Sequence, residues 1–258
     1  MTTTFLSLPV ELRLRIAEYG IFEQTLSLGF PWLRDVFKHD HDYKPSENLA
    51  LLLVCRQFHD DFTQLAYSNT KFTVCCDGID QALVRLHELP EYKTRNIRRL
   101  AFGPDTLIGV CERFLLEAPQ LQLHQLDIIC SEWYLQDHGI PDVVSFFRRL
   151  SNTKFIKLIL YEVERDFSLK TFCALIGAIM KEDHYQRYDA PGAPNIETTW
   201  WDWCLSLDSD YITFEAQPPR PILLEEDYML LMKPKVDGLM ALAEKLAGCE
   251  SCLPVPRN

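Results

Sequence analysis

Short apolar segments recur between residues 72 and 161, and this recurrence constrains the fold more than any other feature. Their equivalent central positions are Phe72, Leu100, Leu126 and Leu158, which are separated by 28, 26 and 32 residues. Each interval is long enough for one strand and one helix, and strand–helix–strand units in series give parallel strands with right-handed crossovers. The sequence therefore predicts an α/β fold built on an irregular parallel β-α repeat stack.

Helical periodicity marks the segments between and after these strands. Helices are predicted over residues 80–89, 107–117, 141–150 and 168–181, the last capped by Ser168, and over 224–247 with an interruption at Pro234. Residues 184–195 carry prolines and a glycine and are predicted to form a loop. The last strand is predicted at residues 211–214.

Two helical segments are predicted before the stack. The first covers residues 5–22, with Pro9 in its first turn, where proline costs no intrahelical hydrogen bond. The second runs from about residue 49 to 67. An apolar stripe on the first helix is expected to pack against the second, and its members are Leu8, Leu12, Ile16 and Tyr19.

These two segments resemble the F-box-like domain that is widespread in filamentous-fungal proteins. The motifs are LSLPVELR at residues 6–13, LLLVCRQF at 51–58, and LAY followed by NTKF at 65–72. The resemblance implies a small helical module that docks on the Skp adaptor of cullin ubiquitin ligases, with Leu8 and Pro9 at the centre of the contact. If the predicted stripe is consumed by the second helix, docking relies on the remaining positions. These remaining positions are Leu6, Val10, Leu14 and Ile21. Together with Leu8 and Pro9, which the resemblance places at the centre, they are the predicted partner-binding residues.

The same resemblance divides the chain into two domains. Residues 1–71 would be the F-box-like helical module, with a long insertion at residues 23–46. Residues 72–258 would be an irregular α/β repeat domain with a C-terminal helix. The L-x-L pattern of its strands resembles a degenerate leucine-rich repeat, although the asparagine of regular repeats is missing.

The overall charge argues against two classes of partner. The formal net charge is -11 and the isoelectric point is near 5.1, so the average surface repels nucleic acid and anionic membranes. No apolar run reaches the roughly 20 residues of a membrane span.

Nine cysteines, an odd number, favour a reducing compartment over a disulfide framework. A soluble protein of the cytoplasm or nucleus is expected, without a secretory signal.

Few residue groups suggest catalysis or metal binding. His39 and His41 have the spacing of metal ligands, but a solvated loop is the favoured interpretation. Cys249 and Cys252 have redox or half-zinc spacing without a second pair. The basic cluster Arg95, Arg98 and Arg99 is interpreted as a solvated or ion-paired strand edge. No cofactor, metal or catalytic residue is predicted.

A concentration of aromatic residues suggests a recognition surface. Three of the five tryptophans lie within four residues, next to the predicted loop. Tryptophan is enriched where a partner or ligand is bound, but it also fills cores, and core packing is the alternative. The predicted client- or ligand-recognition residues are Tyr185, Tyr188, Trp200, Trp201 and Trp203.

These observations favour a protein-interaction adaptor with no catalytic activity of its own. The resemblance to the F-box-like domain implies that it would be a substrate-recruiting subunit of a cullin ubiquitin ligase, with a Skp-type adaptor as partner and an unidentified protein client. The alternative is a small-molecule-binding protein or cofactor-independent enzyme with a pocket near residues 200–203.

Overall fold

A computed structural model describes residues 4–20, 49–74, 78–103, 106–131, 134–135, 139–161, 165–187, 200–205, 211–218 and 223–247. The helices are α1 (Val10–Gly20), α2 (Arg56–Asn69), α3 (Ile79–Glu88), α4 (Glu91–Thr94), α5 (Ile108–Glu117), α6 (Ile140–Arg149), α7 (Arg165–Arg187) and α8 (Glu225–Ala247). The strands are β1 (Lys71–Val74), β2 (Arg99–Phe102), β3 (Leu123–Ser131), β4 (Thr153–Tyr161), β5 (Trp200–Leu205) and β6 (Tyr211–Gln217). Short 3-10 turns cover Phe5–Ser7 and Leu51–Leu53.

The strands form a mostly parallel sheet in the order β1-β2-β3-β4-β6-β5, so the predicted α/β fold is confirmed. β1, β2 and β3 are parallel neighbours, and their register aligns Phe72 with Leu100 and Leu100 with Leu126. These are the positions that the repeat spacing made equivalent. β5 and β6 differ from the rest because they pair antiparallel. β5 is a strand that the sequence analysis did not identify.

The chain falls into two compact units, which do not coincide with the predicted boundary at residue 71. The first unit comprises residues 1–129 and 152–156, and the second comprises residues 130–151 and 157–258. The first unit therefore groups the N-terminal helices with β1 and β2. Its core includes Phe114 of α5, whose ring contacts Phe102 of β2 edge-on at 5.5 Å.

A buried ion pair crosses the sheet of the first unit. Lys71 on β1 donates to the Asp127 carboxylate on β3 at 2.5 Å, and Asp127 is fully buried. The strand between them contributes Ala101, whose small side chain leaves room above β2. Gln125 donates to the other carboxylate oxygen at 2.7 Å. Because both oxygens are bonded, the buried charge is compensated.

The second unit has an aromatic core between β5, β6 and α6. Phe147 of α6 lies 4.9 Å from Phe214 of β6 and 5.9 Å from Trp201 of β5, measured between ring centroids. The Trp201 indole donates a 2.9 Å hydrogen bond to the Phe147 carbonyl. This bond satisfies the indole N–H where water has no access.

Four predicted helix boundaries are wrong. The first predicted helix begins at Val10 and not at residue 5, because Phe5–Ser7 form a separate 3-10 turn and Leu8 has extended backbone geometry. The second predicted helix breaks at Val54, and α2 begins after Cys55, which has extended backbone geometry and accepts the Phe58 N–H with its sulfur. α7 extends from residue 165 to 187, so Ser168 lies buried inside it and residues 184–187 are helical rather than looped. α8 continues through Pro234. Because α8 packs on α7, tertiary contacts offset the hydrogen bond that proline removes.

Candidate functional site

A buried arginine fixes the start of α1. The Arg13 guanidinium donates to Asp61 of α2 through Nε at 2.9 Å and through Nη2 at 2.6 Å. Its remaining nitrogen, Nη1, donates to the carbonyls of Leu6 and Leu8 in the preceding turn. Only 7% of Arg13 is exposed. One side chain therefore ties α1, α2 and the chain leading into α1 together, and removing its partner would leave a charge buried alone.

The rest of the α1–α2 contact is small and aromatic. Ala17, one turn after Arg13, is completely buried, which lets the two helix backbones approach closely. Phe5 in the 3-10 turn packs edge-on against Phe58 at 5.6 Å, and Phe58 packs against Phe62 at 5.2 Å. α1 therefore buries the face that carries Arg13 and Ala17.

The apolar stripe of α1 faces outward, so the prediction that it packs against the second helix is wrong. Leu12, Ile16 and Tyr19 are 50%, 46% and 78% exposed. They recur at four and three residues and so form one side of the helix, which we call the outer stripe. The sequence signal located the apolar side correctly. It could not show that an ion pair between residues 13 and 61 turns that side outward.

The predicted partner-binding residues are only partly exposed. Leu6, Pro9 and Val10 are exposed, whereas Leu8 and Leu14 are half-buried. At 3.6 residues per turn, Val10 and Leu14 lie across the buried face from the outer stripe. Ile21 and the insertion at residues 23–46 lie outside the described residues. The exposed apolar surface of α1 is instead the outer stripe, which the sequence analysis had assigned to the contact with the second helix.

The residues of the predicted aromatic recognition surface have different environments in the structure. Trp201 is 2% exposed and belongs to the core, which removes it from that surface. Trp203 is half-buried, and Lys235 of α8 lies over its ring at 4.9 Å while pairing with Asp202 at 2.5 Å. Tyr188 and the side chains of Tyr185 and Trp200 lie outside the described part of the structure.

A cavity of about 380 Å³ lies beside Trp203. Its lining includes Trp203, Pro234 and Leu239, together with the paired Asp202 and Lys235. The carboxylate and ammonium groups nearest the cavity therefore neutralise each other. This arrangement suits binding of an apolar group better than acid–base catalysis, which requires a group free to exchange a proton.

The other residue groups that the sequence analysis singled out contribute little to catalysis or metal binding among the described residues. Both His39–His41 and Cys249–Cys252 fall outside the described residues, within which no cluster of metal-ligating side chains occurs. Arg95 pairs with Glu91 at 2.6 Å, as an ion-paired edge predicts. Arg98 donates to the Gln122 carbonyl at 2.7 Å. Burial lowers the pKa of His124, and the positive charges of Lys154, Arg99 and Arg98 lower it further.

Burial keeps one thiol inert. Cys130 on β3 is buried, and the loss of solvation raises its pKa to about 12. A thiol with such a pKa stays protonated at neutral pH and is neither a nucleophile nor a metal ligand.

Comparison of the chain with protein-family models, curated proteins and solved structures found no match. The resemblance to the F-box-like domain therefore stays a prediction from the motifs. None of the helices in the described ranges is long and apolar enough to cross a membrane.

Proposed function

We propose that this chain is a protein-interaction adaptor that docks on a partner through the outer stripe of α1. The partner that we propose is a Skp-type adaptor protein, on the motif resemblance of residues 6–13 and 51–72. The second unit would then be available for a protein client. The observation that carries the proposal is the exposed row of Leu12, Ile16 and Tyr19.

An exposed apolar row on a helix calls for a partner. Fully burying a Leu or Ile side chain stabilises a fold by about 1.5–3 kcal/mol, so a chain that leaves a row of them in water forgoes that stabilisation. The face of α1 that a monomer needs is already occupied by the contacts of Arg13 and Ala17 with α2. The outer stripe is therefore spare apolar surface on a helix that is rigidly held, which suits docking into a partner's groove.

Leu53 and Val54 extend the apolar exposure of the N-terminal helices. They are 86% and 64% exposed, although they belong to one of the three motifs that carry the resemblance. A single exposed leucine is common on protein surfaces and needs no explanation. Apolar side chains that are exposed both on α1 and at Leu53 and Val54 form a larger apolar surface, which is typical of an interaction site.

The test is a direct binding experiment between the purified full-length chain and a purified Skp-type adaptor, in which biolayer interferometry measures the Kd. The wild-type chain should bind with a Kd at or below roughly 1 μM. Ile16→Glu should weaken binding more than about tenfold, because the new carboxylate must lose its water in the interface. Val10→Glu, on the other side of α1, reports whether the contact extends to the residues that the motif predicts.

The matched control is Val84→Glu. Val84 lies on α3 of the same unit and is 56% exposed, which is close to the exposure of Ile16. This variant should bind like the wild type. Absence of binding by the wild-type chain, or equal binding by the Ile16→Glu and Val84→Glu variants, would refute the proposal.

A further inference from the structure

We infer that the second unit holds a binding site for a slender amphiphile, an apolar chain with a hydrogen-bonding end, in the groove between α7 and α8. The groove has a volume of about 850 Å³. This falls within the range of ligand pockets, about 300–1,000 Å³. The inference goes beyond the proposed function because it concerns a different unit and a different class of ligand.

The two helices run antiparallel along the groove. His184, near the end of α7, lies 5.5 Å from Tyr228, near the start of α8, measured between ring centroids. At the other end, Gly177 of α7 shares the groove with Val236 and Leu239 of α8. The seven residues from 177 to 184 correspond to about 10 Å of α7, and the lining of α8 runs from Glu226 to Leu239, which is about 20 Å of helix. The groove is therefore long rather than round.

The middle of the groove is apolar and adaptable. Met180 of α7 faces Met229 and Met232 of α8 there, so three of the chain's five methionines line one site. Methionine is unbranched and flexible, and it adapts to ligands of different shape. An apolar chain is therefore the part of a ligand that this section accepts.

The two ends of the groove differ in polarity. Lys181, His184 and Glu226 line one end, whereas Gly177, Val236 and Leu239 line the other. Lys233 and Asp237 also line the groove, but they are exposed and pair with each other at 3.1 Å, so their charges compensate each other. A carboxyl or hydroxyl group would find donors and acceptors at the first end. The tail would point toward Gly177, where an added Cβ would meet nothing within 4 Å. The missing side chain at residue 177 therefore leaves room for the tail.

The experiment measures fluorescence of N-phenyl-1-naphthylamine with the full-length chain, and then its displacement by lauric acid and by lauryl alcohol. The wild type should bind the probe saturably at one site with a roughly micromolar Kd. Displacement by the acid alone assigns a carboxylate end, and displacement by both assigns any hydrogen-bonding end. Displacement by neither refutes the proposal.

Two pairs of variants, each with one change in the groove and one control outside it, locate the binding site. Met229→Lys should raise the Kd more than about tenfold, because it places a charge in the apolar section. Met240→Lys is the control, since Met240 lies on the same helix and is 56% exposed against 53% for Met229, but does not line the groove. Gly177→Trp should weaken the binding of lauric acid more than that of hexanoic acid, whose six-carbon chain is shorter than the roughly 10 Å from residue 184 to residue 177. Gly109→Trp on α5, where an added Cβ also meets nothing within 4 Å, should change neither.

Thermal unfolding by circular dichroism confirms that each variant is folded. Both Met→Lys changes are at half-exposed positions, and both Gly→Trp changes are within helices, where glycine is the weaker helix former. Equal Kd values for Met229→Lys and Met240→Lys would overturn the inference. So would a concentration-dependent dimer that Met229→Lys dissociates, because the groove would then be a contact between two copies of the chain.

Discussion

Two helices, α1 and α8, carry most of the exposed large apolar side chains among the described residues, but they expose them differently. On α1 the exposed side chains form a row on a helix whose other side is fixed by the Arg13–Asp61 ion pair. On α8 the exposed Met229, Leu230 and Val236 line a concave groove. A row that stands out suits a partner's groove, whereas a groove suits a molecule that enters it.

The difference extends to what holds each helix. α1 is held chiefly by hydrogen-bonded charge and by the close approach at Ala17. α8 is held chiefly by apolar contacts, since Tyr228 and Met232 are its buried side chains among those described, whereas its Lys235–Asp202 ion pair is partly exposed. If this comparison is right, substitutions that affect polar contacts should decide the stability of α1, and substitutions that remove apolar volume should decide that of α8.

The largest effect is expected for Asp61→Ala. This change leaves the Arg13 guanidinium buried without its carboxylate, which typically costs about 3–5 kcal/mol of unfolding free energy. Urea denaturation followed by circular dichroism measures it. Asp60→Ala is the control, because the Asp60 side chain on the same helix is 79% exposed and should change stability by less than about 0.5 kcal/mol. Equal losses for the two variants would mean that the ion pair does not hold α1.

The next effect is expected for Met232→Ala on α8. Met232 is 4% exposed, and truncating a buried methionine costs roughly 2–5 kcal/mol because the cavity left behind only partly collapses. Met240→Ala, at a 56% exposed position of the same helix, should cost less than about 0.5 kcal/mol. Chemical denaturation of both variants measures the difference. A small loss for Met232→Ala would show that α8 is not held by its apolar contacts.

The repeat register could be predicted from the sequence because it depends on spacing alone. Phe72, Leu100 and Leu126 each belong to an apolar segment of similar spacing, and the parallel strands of the sheet align these three residues in register. Local signals also placed α3, α5 and α6 to within one or two residues. The docking surface could not be predicted in the same way, because periodicity shows which side of a helix is apolar and not which side is buried.

The errors share one physical cause, which is that contacts distant in sequence outweighed local preference. Arg13 and Asp61 are 48 residues apart, and their pairing places the face of α1 that carries Arg13 and Ala17 against α2, which leaves the outer stripe toward water. Trp201 donates to a carbonyl 54 residues away, so its neighbours could not show that it is core. Pro234 marked a helix end by local rules, yet α8 continues because it packs along α7.

A smaller loss is expected for Ala17→Leu. Ala17 is fully buried where α1 meets α2, so three extra carbon atoms have no space and should cost about 1–3 kcal/mol through displaced side chains. Glu18→Leu, at the next and exposed position of the same helix, is the control and should be nearly neutral. Denaturation midpoints of the two variants measure the effect. If Glu18→Leu destabilised more than Ala17→Leu, the buried face of α1 would be wrongly assigned.

The smallest effect on stability, and the one that tests the comparison most sharply, is expected for Ile16→Ala. In a helix that buried its apolar row, truncating this isoleucine would cost roughly 2–5 kcal/mol, the usual result for a core position. On the outer stripe the same change should cost less than about 0.5 kcal/mol, because the removed atoms already face water. A stability loss above about 1 kcal/mol would place Ile16 in the fold and leave α1 no apolar row for a partner. An unchanged stability together with weaker binding to the Skp-type adaptor would show that this row serves recognition and not folding.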